Sequence, residues 1–240
     1  MNKTRKSKCK IFLATSSTKH DPGLDRLVKS AKVHGFTPSV LGMHENKIRG
    51  HSKEVIGFGD GQFGFKLQYL LEFCKKRNPN DIVLYTDAWD VVIVNDCDVV
   101  LKTYKSFKKD IVIGAEKLCM PHPWNFYKYN WYTDVFPYLN SGVIIGKVST
   151  LIKLIEKYWD KSENIDDQVL WQKIYLKNRD KIVLDSSAKL ILNTTITNKK
   201  YYSYKDNIFT YKETDTQPSM IHVPGNKKYG SKSYFELIRY

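Results

Sequence analysis

No apolar run in the 240 residues approaches the roughly 18 to 20 that a membrane-crossing helix needs, so no membrane span is expected. A secretory leader is missing by the same measure. The basic opening MNKTRKSKCK meets an apolar stretch of only Ile11–Ala14, too short for a signal core. Cysteine is scarce: Cys9, Cys74, Cys97 and Cys119 are the full set and form no CxxC pair. That is too few for a disulfide scaffold, so reduced thiols and a cytoplasmic location are expected. No internal repeat and no Pro/Gly/Ser linker divides the chain, which predicts a basic tail over 1–10 and a single domain over 11–240. Acidic residues are also in deficit, with 25 Asp+Glu against 39 Lys+Arg, a formal net charge of +14 and a pI near 9.4. Such a balance suits an anionic partner: nucleic acid, a phosphorylated small molecule or a membrane surface. Helix-turn-helix, zinc-finger and RNP-type motifs are all lacking, and the lysines are spread along the chain, so nucleic acid gains no support.

What is present points to a packed core. The chain is 42% hydrophobic and 13% aromatic, outside the range of a solvated, disordered polymer. Short apolar runs read as buried strands at Ile11–Ala14, Ser39–Leu41, Ile82–Thr86, Ile111–Ala115 and Val143–Gly146. Between them, apolar residues recur at helical spacing: Leu24, Leu27, Val28 and Ala31; Leu67, Leu70, Leu71 and Cys74; Leu151, Leu154, Ile155 and Tyr158. Asp21-Pro22 opens the first of these helices as N-cap and first-turn proline. Strands alternating with helices predict an α/β fold with a mainly parallel sheet. The polar, tyrosine-rich stretch Asn193–Gln217 lacks clear periodicity and is expected to wrap the surface.

Five segments carry chemistry. In Tyr85-Thr86-Asp87-Ala88-Trp89-Asp90-Val91-Val92 an apolar strand runs into two carboxylates three residues apart. At the carboxyl end of a parallel strand, where ligands bind, Asp87 and Asp90 can converge on one hard cation such as Mg²⁺ or Mn²⁺. A capped surface turn has the same spacing, and Asp96 and Asp98 read as caps of a helix around Val99–Phe107. The loop from Gly57 to Gly64 satisfies G-x-G-x-x-G through Gly59, Gly61 and Gly64. It lies too far from a strand for a dinucleotide fingerprint, yet it precedes a helix with Lys66 in its first turn and can approach an anion. The remaining three are Pro137–Gly146 (PYLNSGVIIG), Asn164–Gln168 (NIDDQ) and Met220–Lys228 (MIHVPGNKK), the last with His222 ending a short strand. Asp166 and Asp167 are equally suited to cap a helix Gln168–Leu176, and His222 to a structural role or to metal ligation.

Together these segments resemble the glycosyltransferase domain of the procollagen-lysine multifunctional enzymes, with the collagen galactosyltransferases as more distant relatives. The resemblance runs nearly the full length and in order, through KIFLATSS, GFGDGQFGFK, VLYTDAWDVV, EKLCMP, YLNSGVIIG, DDQ, VLDSSAKLILN and IHVPGNKK. It implies a GT-A fold, a Rossmann-like and mainly parallel sheet flanked by helices, using Mn²⁺ and a UDP-sugar. Carried over by motif, Asp87, Asp90 and His222 hold the metal. Trp89 stacks on uracil, Lys66 meets phosphate or sugar, Thr15 lines the nucleotide end, and Gly225 and Lys227 close over the phosphates. Asn140 sits beside the donor sugar, with Asp166 and Asp167 near the reacting centre.

The implied reaction is transfer of glucose from UDP-glucose to hydroxylysine or galactosyl-hydroxylysine of a collagen-like protein. Transfer to galactosyl-hydroxylysine would retain the anomeric configuration, and UDP-galactose transfer to bare hydroxylysine is the near alternative. The sequence departs from the family in three places. The run of acids before DDQ is cut to Asp166-Asp167, the glycine pair after NSG is Val143-Ile144, and the Trp between Cys and Pro is Met120, with Trp124 close by. No room is left for an iron-dependent hydroxylase. The expectation is a stand-alone transferase, of the kind large DNA viruses encode, with room for a homodimer.

Overall fold

The computed structural model describes residues 9–45, 62–206 and 208–224. Its elements, in chain order, are β1 (Ile11–Ser16), α1 (Pro22–Val33), β2 (Pro38–Leu41), α2 (Gly64–Lys75), β3 (Ile82–Thr86), β4 (Val91–Ile93), α3 (Cys97–Ser106) and β5 (Ile111–Glu116). There follow β6 (Tyr138–Lys147), α4 (Val148–Tyr158), α5 (Asp167–Lys177), β7 (Ile182–Leu184), β8 (Ile191–Asn193), β9 (Tyr202–Lys205), β10 (Ile208–Tyr211) and β11 (Met220–His222). Each helix and strand expected from periodicity is there, within a few residues of its expected ends.

The central sheet has six strands in the order β2-β1-β3-β6-β5-β7. Its faces divide by the pleat. Val83, Tyr85, Ile111, Ile113 and Ile144 point into one core with Leu67, Leu70 and Cys74 of α2, Leu151 and Leu154 of α4, and Trp171 of α5. Ile11, Leu13, Leu84, Val112, Val143 and Ile145 point into the other, against Leu27 and Ala31 of α1 and Val100 and Tyr104 of α3. Burial on both faces explains why these strands read as continuous apolar runs and not as an alternation. The sheet is mostly parallel, but β6 runs antiparallel to both β3 and β5. The apolar run Val143–Gly146 carries no sign of that direction.

A second sheet, β4-β11-β8, flanks the carboxyl end of β3. Its strands have three residues each and left no periodic trace. The turn joining β3 to β4 is held from both sides. The Asp87 backbone N–H donates to the Gly142 carbonyl on β6 at 2.7 Å, and the Val223 N–H after β11 donates to the Asp90 carbonyl at 2.8 Å. Helix α1 presses on the same turn: a Cβ added at Gly23 would lie 1.9 Å from the Trp89 carbonyl oxygen, so only glycine permits this approach. Arg26 donates to that carbonyl at 3.2 Å.

Two expectations need correction. Cys9 and Cys97 form a disulfide across a sequence separation of 88, while Cys74 and Cys119 are free and buried. The pairing follows from α3 packing on the sheet face that holds the start of β1, which spacing along the chain does not reveal. The thiol argument for a reducing compartment falls with it. The stretch Asn193–Gln217 is likewise more than a surface wrap. Strands β9 and β10 pair antiparallel with Tyr202 opposite Tyr211 and Tyr204 opposite Phe209, and Phe209 and Tyr211 are buried. The aromatic residues alternate at period two, and their tyrosine hydroxyls disguise a core-facing set.

Candidate active site

Strand β3 ends at Thr86, and the turn after it carries Asp87, Trp89 and Asp90. Strand β11 brings His222 against them from the second sheet. One ligand atom from each of Asp87, Asp90 and His222 lies within 4.8 Å of the others. His222 Nε2 is 3.4 Å from Asp90 Oδ1 and 3.7 Å from Asp87 Oδ2. His222 is 2% exposed, and neither its Nε2 nor Asp90 Oδ1 has a hydrogen-bond partner although both atoms are buried. Burial lowers His222, but Asp90 at ion-pair distance, with Asp87 and Glu116, outweighs it and raises the imidazole; a cation shared between the two buried atoms would serve both. Two carboxylates and one imidazole fit a divalent cation of the Mg²⁺ or Mn²⁺ kind.

Lys66 enters from the first turn of α2. The start of α2 is pinned to the segment before α5 by Phe63 N–H to the Ile165 carbonyl at 2.9 Å and Gly64 N–H to the Glu163 carbonyl at 3.2 Å. This docking sets Lys66 Nζ 2.7 Å from Asp87 Oδ1 and 3.6 Å from Asp167 Oδ1. Burial works against the lysine's charge, but Asp167 and Asp87 outweigh it and hold the ammonium protonated well above its ordinary range. Burial alone would raise Asp87 as well. Lys66 and His222 overcome it and draw that carboxyl below its ordinary value. Asp167 is further from Lys66 and loses this contest: burial, with Asp87 and Asp166 nearby, pushes it up to about 6.

The structure separates Asp166 from Asp167. Asp166 is the N-cap of α5, its Oδ1 accepting from Gln168 N–H at 2.8 Å and Val169 N–H at 3.3 Å. Asp167 is buried and accepts from Ser141 Oγ at 2.9 Å. Next to Ser141 on β6, Asn140 is 5% exposed; its Nδ2 donates to Glu116 Oε1 at 3.1 Å and its Oδ1 accepts from Gly142 N–H at 2.9 Å. Glu116, at the end of β5, is raised by burial against the pull of its hydrogen-bond donors and His222. Sequence reasoning passed over Glu116, although a lone acid closing the all-apolar run Ile111–Ala115 was the signal.

A cavity of about 250 Å³ opens beside the turn, lined among others by Ser16, Ser17, Thr18, Phe63, Lys66, Asp87, Trp89 and Asp90. Trp89 is half-buried; its Nε1 donates to Ser17 Oγ at 3.1 Å, and Lys19 Nζ sits 4.7 Å from its ring centroid. Thr15 is placed differently from expectation. It is fully buried and donates to the Thr86 carbonyl at 2.8 Å, so the cavity wall at this end is Ser16–Thr18. The pleat explains the shift: Thr15 lies between paired strands, and the wall begins where β1 leaves the sheet. Asp96 stands at the N-cap position of α3, but its Oδ1 faces His34 Nδ1 at 2.9 Å and makes no cap bond. Gly57, Gly59, Gly61, Gly225 and Lys227 lie outside the described residues.

Comparison with known proteins gives three findings. The family model described as PLOD GT domain matches residues 7–236. Procollagen-lysine,2-oxoglutarate 5-dioxygenase of Drosophila melanogaster is 28% identical over 240 residues, covering 94% of this chain and 32% of its own. Procollagen-lysine,2-oxoglutarate 5-dioxygenase 2 of Mus musculus is 29% identical over 187 residues, 75% of this chain and 25% of its own. The chain therefore spans a third or less of the length of these relatives. Among solved structures, the galactosyltransferase LgtC, in complex with donor and acceptor sugar analogs, superposes with a TM-score of 0.50 over 95% of both chains at 14% identity. This places the chain in the GT-A fold.

The raised Asp167 makes stability depend on pH with a definite sign. The folded carboxyl binds its proton more tightly than the unfolded one, whose pKa is about 3.9, so stability falls as pH rises from about 4 to about 6. The loss from this group is at most about 3 kcal/mol. In urea melts of EDTA-treated protein, the stability of the wild type relative to Asp167→Asn should decline between those pH values. A difference that stays flat, or rises, contradicts the placement of Asp167.

Proposed function

The chain belongs to the PLOD GT domain family of glycosyltransferases, and from that premise we propose that it transfers glucose from UDP-glucose to hydroxylysine or galactosyl-hydroxylysine of a collagen-like protein. The observation that carries the reading is the orphaned pair of Asp90 Oδ1 and His222 Nε2, completed by Asp87 at the mouth of a cavity walled by Trp89 and Lys66. Asp87, Asp90 and His222 would hold a divalent cation, Mn²⁺ in this reading, which supplies charge neutralisation for the departing diphosphate. The net charge of +14 suits that anionic donor.

The chain's own residues do the rest. Trp89 offers a ring face to uracil, with Ser17 fixing the indole edge. Lys66, kept cationic by Asp87 and Asp167, adds a second positive charge where negative charge develops. Asp167, tied to Ser141, and Asn140, tied to Glu116, face the sugar and acceptor end, where a carboxylate stabilises oxocarbenium character or orients the acceptor hydroxyl. Asp166, as helix cap, holds α5 and with it Asp167 in place. In this reading the exposed rings of Trp124, Tyr127, Trp131 and Tyr132 are available to the acceptor. Met120, which starts that segment, has its carbonyl held by Gln168 and Gln172 of α5.

UDP release is the direct test. UDP-glucose with a galactosyl-hydroxylysine peptide should turn over, and excess EDTA should abolish the reaction. Faster turnover of UDP-galactose with bare hydroxylysine peptide would replace the donor and acceptor. Full activity in EDTA would remove the metal. Trp89→Ala should weaken UDP binding about 5- to 150-fold, the equivalent of roughly 1–3 kcal/mol of base stacking. Trp89→Tyr should recover most of this, with melting temperatures close to wild type. UDP affinity by calorimetry that is unchanged in the Ala variant puts the uracil platform elsewhere.

A further inference from the structure

We propose that Asn193 is a positioning residue: it dictates which ring nitrogen of His222 carries the proton, and so keeps Nε2 open to a metal ion. The proposal rests on the reading of Asp87, Asp90 and His222 as metal ligands.

Asn193 closes strand β8, directly opposite His222 in the parallel pairing with β11. It is fully buried. Its Oδ1 lies 2.6 Å from His222 Nδ1, and its Nδ2 donates to the Ala115 carbonyl on β5 at 2.8 Å. A carbonyl-type oxygen cannot donate, so a hydrogen bond at this distance requires the proton on Nδ1. In the neutral ring, the form that binds a metal, the lone pair is then left on Nε2, the atom beside Asp90.

The opposite tautomer has an evident attraction, because an Nε2–H would point at the Asp90 carboxylate 3.4 Å away and fill the place of the metal. Two features stand against it. With the proton on Nε2, the Nδ1 lone pair would confront Asn193 Oδ1 at 2.6 Å, acceptor against acceptor. Rotating the amide to relieve this would turn Oδ1 onto the Ala115 carbonyl, again two acceptors, and lose the Nδ2 bond. The central sheet, through one backbone carbonyl of β5, thus sets the amide, and the amide sets the imidazole. Turning the ring over is also resisted. It lies flush on β6, where a Cβ added at Gly142 would come within 2.1 Å of Cε1, and a flip would exchange the Nδ1 donor for a carbon. Ligand histidines depend on such outer partners, whose removal lowers metal affinity about 10- to 100-fold.

The experiment uses the full chain in two arms. In the first, protein labelled with ¹⁵N-histidine and loaded with Zn²⁺, a diamagnetic probe, is examined by long-range ¹H–¹⁵N correlation, with His222→Gln identifying the His222 signals. The proton should sit on Nδ1 and the metal on Nε2; a protonated Nε2 in the wild type overturns the proposal without any Asn193 variant. In the second, Mn²⁺ is titrated by calorimetry into wild type and Asn193→Ala. The variant should bind about 10- to 100-fold more weakly, with its His222 ring in mixed tautomers. Mn²⁺ affinity within twofold of wild type, with the Nδ1–H signal kept, makes Asn193 merely structural and sinks the proposal alone. A wild type that binds no Mn²⁺ overturns the metal reading and this proposal together.

Discussion

Acidic groups gathered out of water are the constraint on which the rest of the structure depends. Asp87, Asp90, Asp167 and Glu116 lie around the end of the central sheet, the last two buried. A carboxylate removed from water costs several kcal/mol unless a cation or donors meet it. The folding of α2 answers part of that cost by delivering Lys66 between Asp87 and Asp167. Ser141, Asn140 and the first turn of α5 supply neutral donors and a cap. Asp90 faces His222 at 3.4 Å, and a divalent cation held with Asp87 would neutralise the remaining negative charge there.

The two sheets divide the labour. The six-stranded sheet supplies Asp87 from the end of β3 and, through β6, which runs against its neighbours, sets Asn140, Ser141 and Gly142 beside the turn. The three-stranded sheet holds His222, and its register sets His222 opposite Val91, the residue after Asp90. A metal ligand from residue 222 can therefore meet ligands from residues 87 and 90 with little freedom. The family membership and the GT-A likeness agree with a site placed where β3 meets the second sheet.

Much of this was legible in the sequence for identifiable reasons. Buried strands such as Ile82–Thr86 and amphipathic helices such as α4 announce themselves by apolar period, and Asp87 and Asp90 stand where an apolar strand stops. His222 was distinguishable from a structural histidine only through its motif, because its three-residue strand has no period to read. Short strands β4 and β8, the reversed β6 and the Cys9–Cys97 bond all depend on which segments become neighbours, information that no local window carries. Thr15 was misplaced for a finer reason: it is still paired inside β1 and turns its hydroxyl to the Thr86 carbonyl, whereas the cavity wall begins at Ser16, where the strand ends. Asp166 and Asp167 look alike in sequence, and only the start of α5 tells the cap from the buried acid.

The central claim is that one divalent cation, held by Asp87, Asp90 and His222, anchors the diphosphate of the donor beside Trp89. Crystals grown with Mn²⁺ and UDP, with diffraction collected near the manganese absorption edge, test it most directly. The account expects a single strong anomalous peak in contact with all three side chains and with UDP phosphate oxygens, and the uracil ring against Trp89. UDP bound in the cleft with no anomalous peak at those three residues, or with the peak elsewhere, would contradict it.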